Sequence, residues 1–146
     1  MSQSGSFGPI SPLEARVCII EDSVVNHTTV MKLLAYAGVL PEHCECKFSG
    51  QGVRSLLDHA SLTFDLILLD LRLPVEDGYT VLRKIRDTCR FAHTRVVAVT
   101  GNATIEEMRK AQREGFDGFL GKPLLPERFV GQLRRILNGE PVWEYR

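Results

Sequence analysis

Phe64-Asp65-Leu66-Ile67-Leu68-Leu69-Asp70 is an apolar run of strand length that ends on a carboxylate. Three other runs follow the same design. Arg16-Val17-Cys18-Ile19-Ile20 runs into Glu21-Asp22, and Arg95-Val96-Val97-Ala98-Val99 delivers Thr100. Phe116-Asp117-Gly118-Phe119-Leu120 leads to Lys122-Pro123. Read as neighbouring parallel strands, these runs set every polar terminus on one edge of one sheet. That edge then holds a hard-cation site, a nucleophilic carboxylate, a hydroxyl and an ammonium group, a set suited to phosphoryl chemistry.

Between the runs lie longer stretches of helical period, the alternation expected of βα units. The pattern predicts strands near 16–21, 44–48, 65–70, 95–99 and 117–120. Helices are predicted at 24–37, at 51–60 behind a Gly50-Gln51-Gly52 turn, after Asp77-Gly78, from Thr104 to Gly115, and from Pro126. The first should place Val24, Thr28, Met31, Leu34 and Ala35 near its apolar face and stop at Gly38. Thr104-Ile105-Glu106-Glu107 reads as a capping box. Right-handed crossovers then give an α/β fold, a doubly wound five-stranded parallel sheet of order 2-1-3-4-5 with helices on both faces. In that order strands one and three meet at the switch point, where such sheets bind ligands. Glu21-Asp22 and Asp70 end those two strands.

The 146 residues suit one domain able to bury a core without staples. Residues 1–13, rich in Ser, Gly and Pro, read as a flexible lead-in, 14–138 as the domain, and 139–146 as a tail. Eighteen basic and eighteen acidic residues cancel, so no global field recruits nucleic acid or an anionic membrane, and neither is expected as a partner. No secretory signal or spanning segment is visible, and the four scattered cysteines read as reduced thiols, which points to the cytoplasm. His43, Cys44 and Cys46 lack a second pair of ligands for a soft metal.

Three crowded carboxylates call for a cation, and Mg²⁺ with its oxygen ligands is the natural one. An Asp carboxylate beside it can act as a nucleophile and form an aspartyl phosphate. Glu21-Asp22, Asp70-Leu71-Arg72-Leu73-Pro74, Asp77-Gly78, Thr100-Gly101 and Lys122-Pro123, taken together and in order, resemble the receiver domains of two-component response regulators, of flavodoxin-like fold.

The resemblance implies that Asp70 is the phosphorylated residue. Mg²⁺ would be held by Asp22, by Asp70 and by the Arg72 carbonyl, with Glu21 acting through water. Thr100 and Lys122 would bind the phosphoryl group, and Thr100 and Phe119 would form the switch. It further implies a signalling protein and not a turnover enzyme, a chemotaxis-regulator-like phosphoprotein in a phosphorelay. One helix and a short tail after Lys122-Pro123 lead to the expectation that it stands alone. Its phosphoryl donor would be a sensor histidine kinase or a phosphotransfer protein. Output would pass to a downstream protein, or through a homodimer, at the face of the fourth and fifth predicted helices and strand five. Phe119 stands where a tyrosine is frequent, and Arg72 and Asn102 occupy positions that tune phosphate lifetime.

Three rival readings compete with this one. A degenerate receiver would never be phosphorylated, although every expected position here is filled. A phosphatase of the haloacid dehalogenase type needs a second Asp two residues after the nucleophile, where this chain has Arg72. A flavodoxin-like flavin carrier would place a phosphate against Glu21-Asp22, which would repel it.

Overall fold

A computed structural model describes residues 8–49, 55, 58 and 63–146. The predicted helix at 51–60, with its Gly50-Gln51-Gly52 turn, falls largely outside the described residues. The chain runs β1 (Val17–Ile20), α1 (Val24–Tyr36), β2 (Cys44–Lys47), β3 (Leu66–Asp70), α2 (Gly78–Arg86), β4 (Arg95–Thr100), α3 (Ile105–Glu114), β5 (Gly118–Gly121), α4 (Pro126–Leu137) and β6 (Val142–Glu144). All the strands are parallel, in the order β2-β1-β3-β4-β5-β6.

The order 2-1-3-4-5 stands, and the sheet has one strand more than expected. The tail supplies it, pairing alongside β5. Only three residues make this strand, and their apolar-aromatic-acidic pattern gives too short a period to read from sequence. β1, β3 and β4 are buried along their whole length, as central strands of a parallel sheet must be.

Alternating strand residues feed two cores. Ile67, Leu69, Val96 and Ala98 meet Leu82 and Ile85 of α2 and Ala111 of α3. Val17, Ile19, Leu66, Leu68 and Val97 meet Leu33 and Leu34 of α1 and Phe129 and Leu133 of α4. Each fully buried side chain of this size contributes roughly 1.5–3 kcal/mol.

Side-chain caps start three of the helices. Ser23, Asp77 and Thr104 accept from the backbone N–H of Asn26, Thr80 and Glu107. Only half of the expected capping box forms, because the Glu107 carboxylate accepts the Tyr79 hydroxyl instead. Gly115, at φ 105°, ends α3 in the left-handed region that a glycine enters freely. The buried face of α1 is His27, Val30, Leu33 and Leu34, whereas Val24, Thr28 and Ala35 point to solvent. The helix is thus rotated away from the expected face through Val24.

Part of the expected flexible lead-in is tied down. Ile10 N–H donates to the Leu137 carbonyl at 2.9 Å. The Arg95 guanidinium, almost wholly buried, donates to the Gly8 carbonyl at 2.6 Å and to the Leu137 carbonyl at 3.4 Å.

Candidate functional site

Four strand ends build one polar edge. Glu21 follows β1, and its Oε2 accepts the Ser23 N–H at 3.2 Å, joining it to the cap that starts α1. Asp70 is the last residue of β3, and its Oδ1 accepts the Arg72 N–H at 2.9 Å. Thr100, the last residue of β4, is fully buried, with its hydroxyl accepting the Asn102 N–H at 3.1 Å. Lys122 follows β5, and the Lys122–Pro123 peptide is cis. Its Nζ donates to Glu21 Oε1 at 2.7 Å and to Asp70 Oδ2 at 3.2 Å.

Glu21 and Asp70 are buried at 4% and 6% exposure, yet one ammonium serves both. Burial pushes the Asp70 carboxyl up to about 6, against the pull of the Arg72 amide and Lys122. Burial also acts on Glu21, but the nearer Lys122 ammonium and its hydrogen bonds bring that carboxyl down to about 2. Desolvation opposes the charge on Lys122, and its two carboxylate partners outweigh that, leaving its pKa raised.

Asp22 stands exposed beside them, and carboxylate oxygens of Glu21, Asp22 and Asp70 lie within 4.8 Å of one another. Three carboxylates against one ammonium leave an excess of negative charge on hard oxygen ligands, which fits a divalent cation such as Mg²⁺.

The structure thus brings Glu21, Asp22, Asp70 and Lys122 together, with Thr100 one residue beyond the Asp70–Val99 pair on the neighbouring strand. Arg72 and Asn102 are exposed at the rim. Phe119 stands back from this edge, wholly buried in the core on the strand that pairs with β6. Two features escaped the sequence reading. Lys122 reaches Glu21 more closely than Asp70, which depends on tertiary distances. Gly78 passes so near the loop after β3 that a Cβ there would stand 2.7 Å from the Asp70 carbonyl oxygen. The Asp77-Gly78 pair was the available signal.

The family model described as the response regulator receiver domain matches residues 17–134, which takes in every one of these strand ends. The chain belongs to the response regulator receiver domain family. Among relatives of this receiver domain, hybrid signal transduction histidine kinase G of Dictyostelium discoideum is 33% identical over 131 residues. The match covers 88% of this chain and 4% of that protein. Two-component system protein A of Emericella nidulans is 31% identical over 121 residues, covering 83% of this chain and 17% of that protein. The receiver domain described here therefore spans a small part of either relative.

Among solved structures, the receiver domain of a sensor histidine kinase of Pseudomonas aeruginosa carries a magnesium ion coordinated in its active site cleft. It is 31% identical with a TM-score of 0.67, over 84% of this chain and 93% of that one. A chemotaxis response regulator of Vibrio cholerae is 25% identical with a TM-score of 0.72, over 84% and 98% of the two chains. The chain is a receiver domain of the two-component phosphorelay type, a phosphoacceptor of the flavodoxin-like fold. Among the described residues no helix is long and apolar enough to cross a membrane.

Proposed function

We propose that this receiver accepts its phosphoryl group on Asp70, in a reaction that needs Mg²⁺, from a sensor histidine kinase or phosphotransfer protein. The observation that carries this is one buried carboxylate at the end of β3, 3.2 Å from Lys122 Nζ and within the Glu21–Asp22 cluster. A carboxylate oxygen of Asp70 attacks the phosphorus, the bond from phosphorus to the donor's imidazole nitrogen breaks, and an acyl phosphate forms. Asp22, Asp70 and the Arg72 carbonyl would hold the ion, with Glu21 behind them. When bound, it neutralises charge on the phosphoryl oxygens.

Lys122 supplies the second positive charge and orients the group, and the Thr100 hydroxyl hydrogen-bonds it once formed. Water later attacks the phosphorus, the bond from phosphorus to the Asp70 oxygen breaks, and inorganic phosphate leaves the carboxylate restored. Arg72 and Asn102 are exposed at the rim, and their role in this reading is to limit access of that water.

The position after Leu71 carries an arginine whose N–H holds Asp70, so the general acid of a dehalogenase-type phosphatase has no counterpart there. The protein is read as a signalling phosphoacceptor and not as a turnover enzyme. Its donor must dock beside this edge. Val24 and Val25 of α1 and Leu125 before α4 are exposed there. A groove lined by Thr29, Lys32, Tyr36, Leu125 and Arg128 runs between the two helices. Output is read as protein–protein interaction, and the four free cysteines support a cytoplasmic setting.

Intact-protein mass after incubation with acetyl phosphate and Mg²⁺ tests the reading. Wild type should gain one phosphoryl mass, and Asp70→Asn or chelated samples none. A gain that survives in Asp70→Asn would overturn the assignment. The same assay followed over time should show a shorter phosphate lifetime in Arg72→Ala and Asn102→Ala.

A further inference from the structure

The edge of β5 departs from expectation, and the phosphoryl site makes no use of it. β6 lies along it in register, with Gly118 opposite Val142, Phe119 opposite Trp143 and Leu120 opposite Glu144. On one face Trp143 and Tyr145 pack into the cluster that holds Phe119, Ala103 and Met108. On the other, Val142 is buried among the residues around Leu120 and Phe129. The Glu144 carboxylate accepts from Gln132 Nε2 at 2.8 Å and from Arg135 at 2.7 Å, and the Arg128 guanidinium lies 3.6 Å away. Arg128 also donates to the Arg146 carbonyl.

Two glycines shape the seat of this strand. A Cβ at Gly118 would stand 2.9 Å from the Val142 carbonyl oxygen. One at Gly121 would stand 2.5 Å from the Tyr145 carbonyl oxygen and 2.7 Å from Ala103 Cβ. Bare positions in a strand mark the close passage of another backbone, and here that backbone is the chain's own. Two rows therefore cross the sheet to its last strand. Ala98, Phe119 and Trp143 form one. Thr100, Gly121 and Tyr145 form the other.

We propose that residues 142–145 are a latch, a strand that closes the edge of β5 and leaves it when Asp70 carries a phosphoryl group. The proposal rests on the reading of Asp70 as phosphoacceptor. Lys122 is here shared between Glu21 and Asp70. Phosphoryl oxygens on Asp70 draw that ammonium and the Thr100 hydroxyl towards themselves through charge-assisted hydrogen bonds. Gly121 pairs with Thr100, immediately precedes Lys122 and abuts Tyr145 without slack, so the seat of β6 changes shape with them. A three-residue strand held by a partly exposed ion network is a marginal element, drawn from the low end of local stability. Once free, the edge of β5 offers unpaired backbone beside Gln132, Arg135 and Arg128. That surface fits an extended partner segment carrying a carboxylate.

The chain has one tryptophan, and it lies in the latch. The 146-residue chain, loaded with Mg²⁺ and beryllofluoride, a phosphoryl mimic, is followed by acrylamide quenching of Trp143 and amide exchange of Val142–Glu144. Fluorine NMR reports occupancy of the site. Loading should raise both readouts by about fivefold or more, with Asp70→Asn silent. Glu144→Lys should open the latch without loading and, by reciprocity, tighten beryllofluoride binding. An occupied site with Trp143 and the β6 amides unchanged overturns the latch and leaves the Asp70 reading intact. A folded Glu144→Lys protein with fully protected β6 amides also overturns it. Failure to bind beryllofluoride, with no mass gain from acetyl phosphate, ends the phosphoacceptor reading and the latch together.

Discussion

Lys122 is the residue on which the site's electrostatics turn. It is the ammonium within reach of two carboxylates that are themselves almost wholly buried. Replacing it by alanine leaves both without a counter-charge, and breaking such a pair costs about 3 kcal/mol. Lys122→Ala is therefore expected to lower unfolding free energy by about that much near neutral pH, measured by urea denaturation. Without the lysine, the folded-state pKa of Glu21 is expected to rise from its lowered value, and that of Asp70, already raised by burial, to rise further, so that both lie above their unfolded values. Stability lost at neutral pH then returns as pH falls through those raised values. The gap to wild type should narrow on acidification, and a gap independent of pH would refute this account of the pair. Glu21, Asp22, Asp70 and Lys122 were all legible as site residues, because each ends an apolar run. The division of the ammonium between Glu21 and Asp70 was not, since half an ångström of tertiary placement decides it.

At the scale of elements, the loop from β3 into α2 sets the geometry of Asp70. Asp77 caps α2, and the Gly78 N–H donates to the Leu71 carbonyl at 3.0 Å. A Cβ at Gly78 would stand 2.7 Å from the Asp70 carbonyl and 2.8 Å from Leu71 Cα, both of them backbone. Backbone cannot yield as a side chain does, so Gly78→Ala should destabilise by about 1–3 kcal/mol. It should also slow phosphorylation by acetyl phosphate, because Asp70 must move. Wild-type stability and rate in this variant would exclude the close approach as a constraint. The strands were readable from their apolar runs and one cap from Thr104, whereas Asp77-Gly78 marked where α2 begins without showing Asp77 as its cap. The rotation of α1 and the existence of β6 were not. His27 at a buried position breaks the apolar pattern of α1, and the three residues of β6 gain their order from the partners they meet on β5, α3 and α4.

For the molecule as a whole, an excess of negative charge is concentrated at one edge of an otherwise balanced chain. Divalent binding there should stabilise the folded state by about 2.7 kcal/mol at a hundredfold excess over Kd. A thermal melt in Mg²⁺ should rise above one in EDTA. Asp22→Ala, which removes an exposed carboxylate, should melt no lower than wild type in EDTA and lose the Mg²⁺ response. A full response in that variant would move the ion elsewhere.

Because β6 runs parallel to β5, it also fixes where the two described ends of the chain lie. Gly8 and Ile10 are held at the edge where the strands begin, against Arg95 and the end of α4. Tyr145 lies at the opposite edge, against Gly121. A fluorophore appended after Arg146 is thereby moored at the edge that carries the reacting carboxylate, whereas one attached at Gly8 lies at the opposite edge, where the strands begin. The first is a reporter of phosphoryl chemistry, and the second is a handle for immobilisation that leaves it undisturbed.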